Sequence, residues 1–421
     1  MDSQRSLDAL LQRFSLAKKR VLVLDGETRT SLAVVRSLGE KGVNVAAAAC
    51  HRFALSFASK YTQHKLLCPN ALNEPQAYQA WLLQAAGEFC PDVVLPLTDL
   101  SCSLCLAIED ELRELTSMPL VSADVFSELS NKAELAKTAK ACGIACPAAL
   151  SLPLATRSRI EEVAAVRAFR YPAVLKPAVS VVRARSGAIR LPVMYVDSPE
   201  SVIETIQGRK DKRCLQVPFL LQERITGPGC GVFALCHRGR VLTVFCHRRL
   251  LEKPPSGGVS VLSESIALAD APVSQAVMLL EQYHFHGAAM VEFKQGPSGE
   301  FYLMEVNARL WGSLQLAVAA GRDFPLLLVL LALAKDHAAE SALAEYCAAL
   351  PPYQDGLRLR WLLGTLDHAL IRLKKEPFTF LLDLLLHNSL RLSGKKRTVF
   401  DVFRKDDPRP FLYELRNWLL I

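Results

Sequence analysis

The sequence predicts an α/β chain of two or three domains, founded on a parallel sheet with helices on its faces. Three observations carry this. The 421 residues are too many for one compact core. The opening stretch alternates apolar strand runs with helix-length segments, the order that crossover connections between parallel strands require. Later, two apolar strand runs flank Gly296-Pro297-Ser298-Gly299, the punctuation of an antiparallel hairpin.

The elements follow in order. Residues 1–19 read as an amphipathic helix. Arg20-Val-Leu-Val-Leu-Asp25 is a buried strand ended by Gly26. Ser31 to Lys41 is a helix closed by Gly42, and Val43 to Ala49 is the next strand. A single glycine marks the first turn, so the G-x-G-x-x-G dinucleotide fingerprint is absent. Val93-Val-Leu-Pro-Leu97 runs into Thr98-Asp99, where open α/β sheets place ligands; a helix cap is the competing reading. Ser130-Asn131-Lys132 precedes a helix from Ala133 to Ala141. Further helices are expected over Glu161 to Phe169, Val202 to Ile206 and Val273 to His284. Strands are expected at Tyr171 to Pro177, Phe219 to Gln222, Gly231 to Leu235, Val241 to Cys246, Ala288 to Lys294 and Glu300 to Asn307. Residues 335–421 read as mostly helical.

Composition narrows the function classes. Apolar residues make up 51% and charged residues 22%, which argues against disorder. The net charge of +8 favours anionic ligands such as nucleotides. The densest basic run, Lys395-Lys396-Arg397, lacks interleaved aromatics, so nucleic acid is not expected as a partner. The 12 cysteines form no framework, which points to a reducing cytoplasm. Cys102/Cys105 is a lone C-x-x-C pair inside a helix-like stretch and does not read as zinc-binding or redox-active. No signal peptide is expected, because Asp2, Arg5 and Asp8 interrupt the start. The apolar run from Phe324 to Ala334 is too short to span a bilayer, so no transmembrane segment is expected.

The hairpin carries the strongest chemical signal. Glu292 and Glu305 are carboxylates inside apolar strands, where burying charge is costly unless compensated. Glu305, Asn307 and Arg309 alternate and therefore share one face. Two carboxylates and an amide oxygen form a hard, oxygen-only set suited to Mg²⁺ held between protein and phosphates. The alternative is a salt-bridged sheet, with Glu292 paired to Arg309. The two glutamates are 13 positions apart, an odd number, so a common face needs an even-numbered loop or a bulge. Lys176 ends the strand Ala-Val-Leu, where it can aim a charge at phosphate or snorkel into water. The strand end Gln222-Glu223-Arg224-Ile225 can offer backbone groups to a flat heterocycle.

In this order and spacing, the pieces over about residues 20–330 resemble the ATP-grasp superfamily. The resemblance implies a pre-ATP-grasp, Rossmann-like domain (1–125), a two-lobed ATP-grasp α+β core (126–335, with a lid lobe at about 150–222) and a helical C-terminal extension (336–421). It implies phosphate binding by Lys132 and Lys176, and an adenine hinge at Gln222, Glu223, Arg224 and Ile225. It implies metal ligation by Glu292, Glu305 and Asn307, and a role for Arg309 at the transferring phosphate. His247-Arg248-Arg249, with the loop through Gly258, resembles a mobile substrate cover. Three departures stand out. Gly227-Pro228-Gly229 replaces the usual ribose-binding acid. The glycine-rich phosphate loop is reduced to Ser186-Gly187, flanked by Arg183 and Arg185. Asn131 stands where many relatives have Asp. The implied cofactors are ATP and Mg²⁺, with Mn²⁺ as a substitute. The implied activity is ADP-forming ligation of a small carboxylate to an amine, with a homo-oligomer compatible. A bicarbonate-activating carboxylase and a non-catalytic nucleotide-binding scaffold are the rival expectations.

Overall fold

The computed structural model describes residues 2–152, 164–179, 181–184, 187–190, 193–207, 218–380 and 397–420. The expected start of the Glu161 helix lies outside these residues, as do Arg185, Ser186, Lys395 and Lys396.

The first layer is a four-stranded sheet, β1 (Arg20–Val23), β2 (Asn44–Ala49), β3 (His64–Leu67) and β4 (Val93–Leu95), in the order β3-β2-β1-β4. All its pairings are parallel. β1, β2 and β4 are almost wholly buried, as their unbroken apolar runs require when helices cover both faces. The helix Arg29–Gly39 begins at Thr28, whose side chain accepts from Ser31 N–H.

The second sheet holds β5 (Ala149–Leu152), β6 (Ala173–Pro177), β9 (Met194–Val196) and β10 (Phe219–Glu223), in the order β5-β10-β6-β9. A separate hairpin, β7 (Val181–Ala184) with β8 (Gly187–Arg190), leaves the end of β6. This lobe has its own small core around Leu175, Val202 and Leu221.

The third sheet is the largest. It contains β11 (Gly229–His237), β12 (Arg240–Lys253), β13 (Val259–Ser265), β14 (Gly287–Gln295), β15 (Phe301–Asn307), β16 (Arg358–Arg360) and β17 (Thr398–Phe400), in the order β15-β14-β11-β12-β13-β16-β17. Two features differ from the sequence reading. β12 runs to Lys253 and turns back as β13, so His247-Arg248-Arg249 lies in a strand paired on both sides and not in a loop. The described C-terminal residues are mostly helical, but they also lay β16 against β13 and β17 against β16.

The apolar helix Phe324–Leu333 is buried on nearly every side and packs in one core with β1, β2, Phe233 and Trp311. No helix among the described residues is long and apolar enough to cross a membrane.

Candidate active site

A cleft of about 510 Å³ opens between the second and third sheets. Lys132, Lys176, Gln222, Glu223, Arg224, Ile225, Glu292, Glu305, Asn307 and Arg309 all line it. These residues come from five separate stretches of chain, and the two sheets and the helix that begins at Lys132 bring them around one cleft.

The third sheet supplies the carboxylates. In β14 and β15, Gln295 pairs with Phe301 and Phe293 with Leu303, across a five-residue turn. The register then slips, so that Glu292 faces Glu305. Met304 is the extra residue of this bulge, and the bulge makes cross-strand partners of two glutamates an odd number apart. It lies four residues above the Gly-Pro turn, not in it. Phe293 and Leu303 point into the core on the opposite face.

Compensation for these charges is specific. Glu292 accepts from Arg249 of β12, and Arg249 also donates to Glu252 at 3.2 Å. The ion pair therefore runs to Arg249 and not to Arg309. Burial raises the Glu292 carboxyl against the pull of Arg249. Burial also pushes Glu305 upward, but Lys132, the Asn307 amide and Lys176 outweigh it and hold Glu305 below its ordinary value. Asn307 Nδ2 donates to Glu305 Oε1 at 3.2 Å, and Asn307 Oδ1 accepts from Arg309 at 2.9 Å. Arg309 in turn grips Asp99 through Nε at 2.8 Å and an η nitrogen at 3.1 Å. A fork on a carboxylate fixes the guanidinium plane. Thr98 does not reach the cleft. It caps the helix Asp99–Leu106 and donates to the half-buried Asp25 at 3.0 Å.

The lysines come from the facing side. Lys176 lies in β6 and is only 5% exposed. Burial, then the neighbouring charge of Lys132, lowers its ammonium to about 8, while Glu305 and Glu292 act the other way. Lys132 is the first residue of its helix, and Asn131 caps that helix by accepting from Ala133 N–H at 3.1 Å. A second pocket of about 370 Å³, with Leu106, Phe126 and Leu129 on its apolar side, meets the cleft at Lys132, Glu305 and Asn307.

The hinge is tied down locally. Glu223 N–H donates to Ala148 O at 2.8 Å, and Lys294 donates to Ile225 O at 3.3 Å. Gln222 is buried in the cleft wall, and its Oε1 has no hydrogen-bond partner. An unsatisfied buried amide oxygen is costly, so a donor from a ligand fits there. At Gly227 (φ +144°) an added Cβ would lie 2.0 Å from the Gln295 carbonyl oxygen. The glycine that replaces the family's acid is thus demanded by backbone contact.

Sequence reasoning missed the part played by Arg249, and it missed the bulge residue Met304 and Arg29, which lines the cleft and pairs with Asp401. Single cations on a long polar strand or at a helix start carry no local signal. His247 is buried, stacked on Phe233 at 4.6 Å and bonded to Ser313 Oγ at 3.1 Å. Burial, then Arg249, lowers its imidazole to about 3, so it is a neutral packing group and a poor base. Cys102 and Cys105 are buried thiols with raised pKa values. The described cysteines are all free. Arg183 and Gly187 sit in the β7–β8 hairpin, paired with Ala188 and Ala184.

A parallel α/β sheet, a lysine-bearing four-stranded lobe and a carboxylate-lined large sheet surround one cleft, and this arrangement is a fold of the ATP-grasp type. More particularly, residues 216–350 match the family described as ATP-grasp in the biosynthetic pathway with Ter operon. Among solved structures, the chain is similar to the L-amino acid ligase from Bacillus licheniformis (17% identity, TM-score 0.58, 80% of this chain and 78% of that one). It is also similar to carboxyaminoimidazole ribonucleotide synthase from Aspergillus clavatus complexed with ATP (15%, 0.56, 76% and 77%). A third is biotin carboxylase from Campylobacter jejuni (15%, 0.55, 76% and 72%). No curated protein sequence matches the chain.

Proposed function

We propose that the protein binds Mg-ATP in this cleft and activates a small carboxylate as an acyl phosphate, which an amine then attacks to give an amide, ADP and phosphate. The observation that carries the reading is the single cleft in which Lys132 and Lys176 face the Glu292–Glu305–Asn307–Arg309 set. Adenine has a place against the Gln222 to Ile225 backbone, with the orphaned Gln222 Oε1 as acceptor for an exocyclic amine. Lys132 and Lys176 would hold phosphate oxygens.

The donor set fits a hard divalent cation: Glu292, Glu305 and Asn307 offer only oxygen, and the two carboxylates are cross-strand partners. When bound, Mg²⁺ would neutralise phosphate charge there, and Mn²⁺ would serve in its place. The residues do the rest. Arg309, held by Asp99 and Asn307, keeps its charge at a fixed position beside the phosphate end of the cleft. The buried Lys176 excludes water and supplies a second charge. His247 is held neutral and Ser313 is bonded to it, so this buried pair is not prepared as a base and nucleophile to attack a phosphate. The attacking oxygen therefore comes from a substrate, and catalysis is mainly positioning.

Two of the similar structures are ligases or synthases by name and the third is a carboxylase, which supports ATP-dependent ligation in general. The test is ADP release against pools of amino acids, short peptides and sugar acids, with hydroxylamine present. A hydroxamate formed only with the right carboxylate and Mg-ATP is expected. ADP without hydroxamate, with labelled bicarbonate entering product, would replace this reading by a carboxylase. Binding of ATP with no turnover on any substrate would replace it by a nucleotide-binding scaffold.

A further inference from the structure

Three unlike donor groups meet at the carboxyl ends of β1 and β2, outside the nucleotide cleft. Glu27 follows β1, and Cys50 and His51 follow β2. One carboxylate oxygen, one thiol sulfur and one imidazole nitrogen lie within 4.8 Å of one another. The backbone holds the two segments together. Gly26 N–H donates to Ala48 O at 2.7 Å, and Cys50 N–H donates to Glu27 Oε1 at 2.5 Å. A Cβ at Gly26 would come within 2.9 Å of Ala48 O, so the approach is built on glycine. Asn70 Nδ2 donates to Cys50 Sγ at 3.7 Å from the end of β3.

We propose that Glu27, Cys50 and His51 form a binding site for a divalent transition-metal ion of the zinc type. Thiolate, imidazole and carboxylate together select a borderline-soft ion, and a hard ion such as Mg²⁺ would reject the sulfur. Bonds of about 2.0–2.3 Å to one tetrahedral centre put ligand atoms roughly 3.3–3.8 Å apart. The present spacing reaches that by side-chain rotation at Cys50 and His51, both of which are exposed. Their exposure leaves the fourth position to water. The thiolate is the ligating form, so the Cys50 thiol must give up its proton to hold the ion. Binding then breaks the S–H bond, releases the proton to solvent and forms the sulfur–metal bond, with no change of oxidation state. Affinity should rise with pH and should not depend on Mg-ATP.

The test uses the full chain, stripped with chelator and titrated with Co²⁺ as an optical stand-in for Zn²⁺. One equivalent should produce a near-ultraviolet thiolate-to-cobalt band that excess Zn²⁺ removes. Cys50→Ser should abolish the band. His51→Ala should weaken binding by more than the roughly 10-fold that losing an outer-sphere partner costs. Cys68→Ser, a nearby thiol outside the three-donor group, should keep the band. Circular dichroism checks that each variant folds. No thiolate band in the parent chain, or an undiminished band in Cys50→Ser, would overturn the site.

Discussion

Lys176 is the residue on which nucleotide binding should turn most visibly with pH. Its ammonium sits near 8 in the free protein because burial and Lys132 disfavour the charge. Phosphates would favour that charge and raise the value on binding. Nucleotide affinity should therefore be full below pH 8 and fall by up to about tenfold per pH unit above it, until the bound-state value is passed. Calorimetry at pH 8.5 in buffers of different ionisation enthalpy should show proton uptake, and Lys176→Met should show none, with binding weakened about tenfold or more. Identical proton uptake in that variant would remove Lys176 from the phosphate site. His247 makes the opposite kind of contribution. Its folded value near 3 lies below its unfolded value near 6.5, so it stabilises the fold above pH 6.5, and that stability drains away as pH falls towards 3. His247→Phe should flatten the acid limb of a melting-temperature profile, because Phe233 and Phe245 already stack on the ring. Lys176, Glu292 and Glu305 were legible because a charge in an apolar strand is an anomaly. Arg249 was not, because a basic residue near the end of a long strand is ordinary until a buried glutamate is seen opposite it.

At the scale of elements, the bulge in β15 and the hinge glycine decide the geometry of the cleft. The odd spacing of the two glutamates forecast an irregularity, but it could not say that Met304 would carry it. Gly227 is a sharper case. Its side chain would strike the Gln295 carbonyl, so Gly227→Ala must push the hinge away from β14. A strained backbone site of this kind costs about 1–3 kcal/mol. The variant should melt earlier and bind ATP more weakly, and unchanged binding would separate the hinge from adenine. The β12–β13 hairpin was the least legible element. Val259 to Ser265 mixes exposed and buried positions with serines and a glutamate, a pattern with little period, and the Gly/Pro turn before it hides the return strand. Pro254, Ser256, Gly257 and Gly258 of its turn line the cleft together with Tyr195. Amide exchange at Ser256 to Gly258 should slow when Mg-ATP is added, as expected of a cover that closes over substrate. Equal exchange with and without nucleotide would make the hairpin a fixed wall.

The whole molecule is tied end to end. Arg36, in the first helix after β1, is about 1% exposed and donates to Asp407 at 2.9 Å and to the carbonyls of Val402 and Asp407. Asp407 also accepts from Ser59 Oγ at 2.7 Å and Lys60 N–H at 3.1 Å. Asp407-Pro408-Arg409-Pro410 reads from its sequence as a rigid turn; that it also anchors the chain could not be read there, because the partner is far away. Asp407→Ala should destabilise the protein by about 3–5 kcal/mol, since it strands a buried guanidinium. Arg36→Met with Asp407→Leu should recover much of that loss in denaturant melts. A further consequence concerns synthesis. Arg36 and Asp407 are 371 positions apart. At about 5–20 residues per second, the ribosome makes the second roughly 20–75 s after the first. Through that interval the parallel sheet exists without its clasp, with a buried cation and the Leu32 and Leu55 surface still waiting for Val402. The early part of the nascent chain therefore waits, unlocked, for the segment from Val402 to Asp407 to be made.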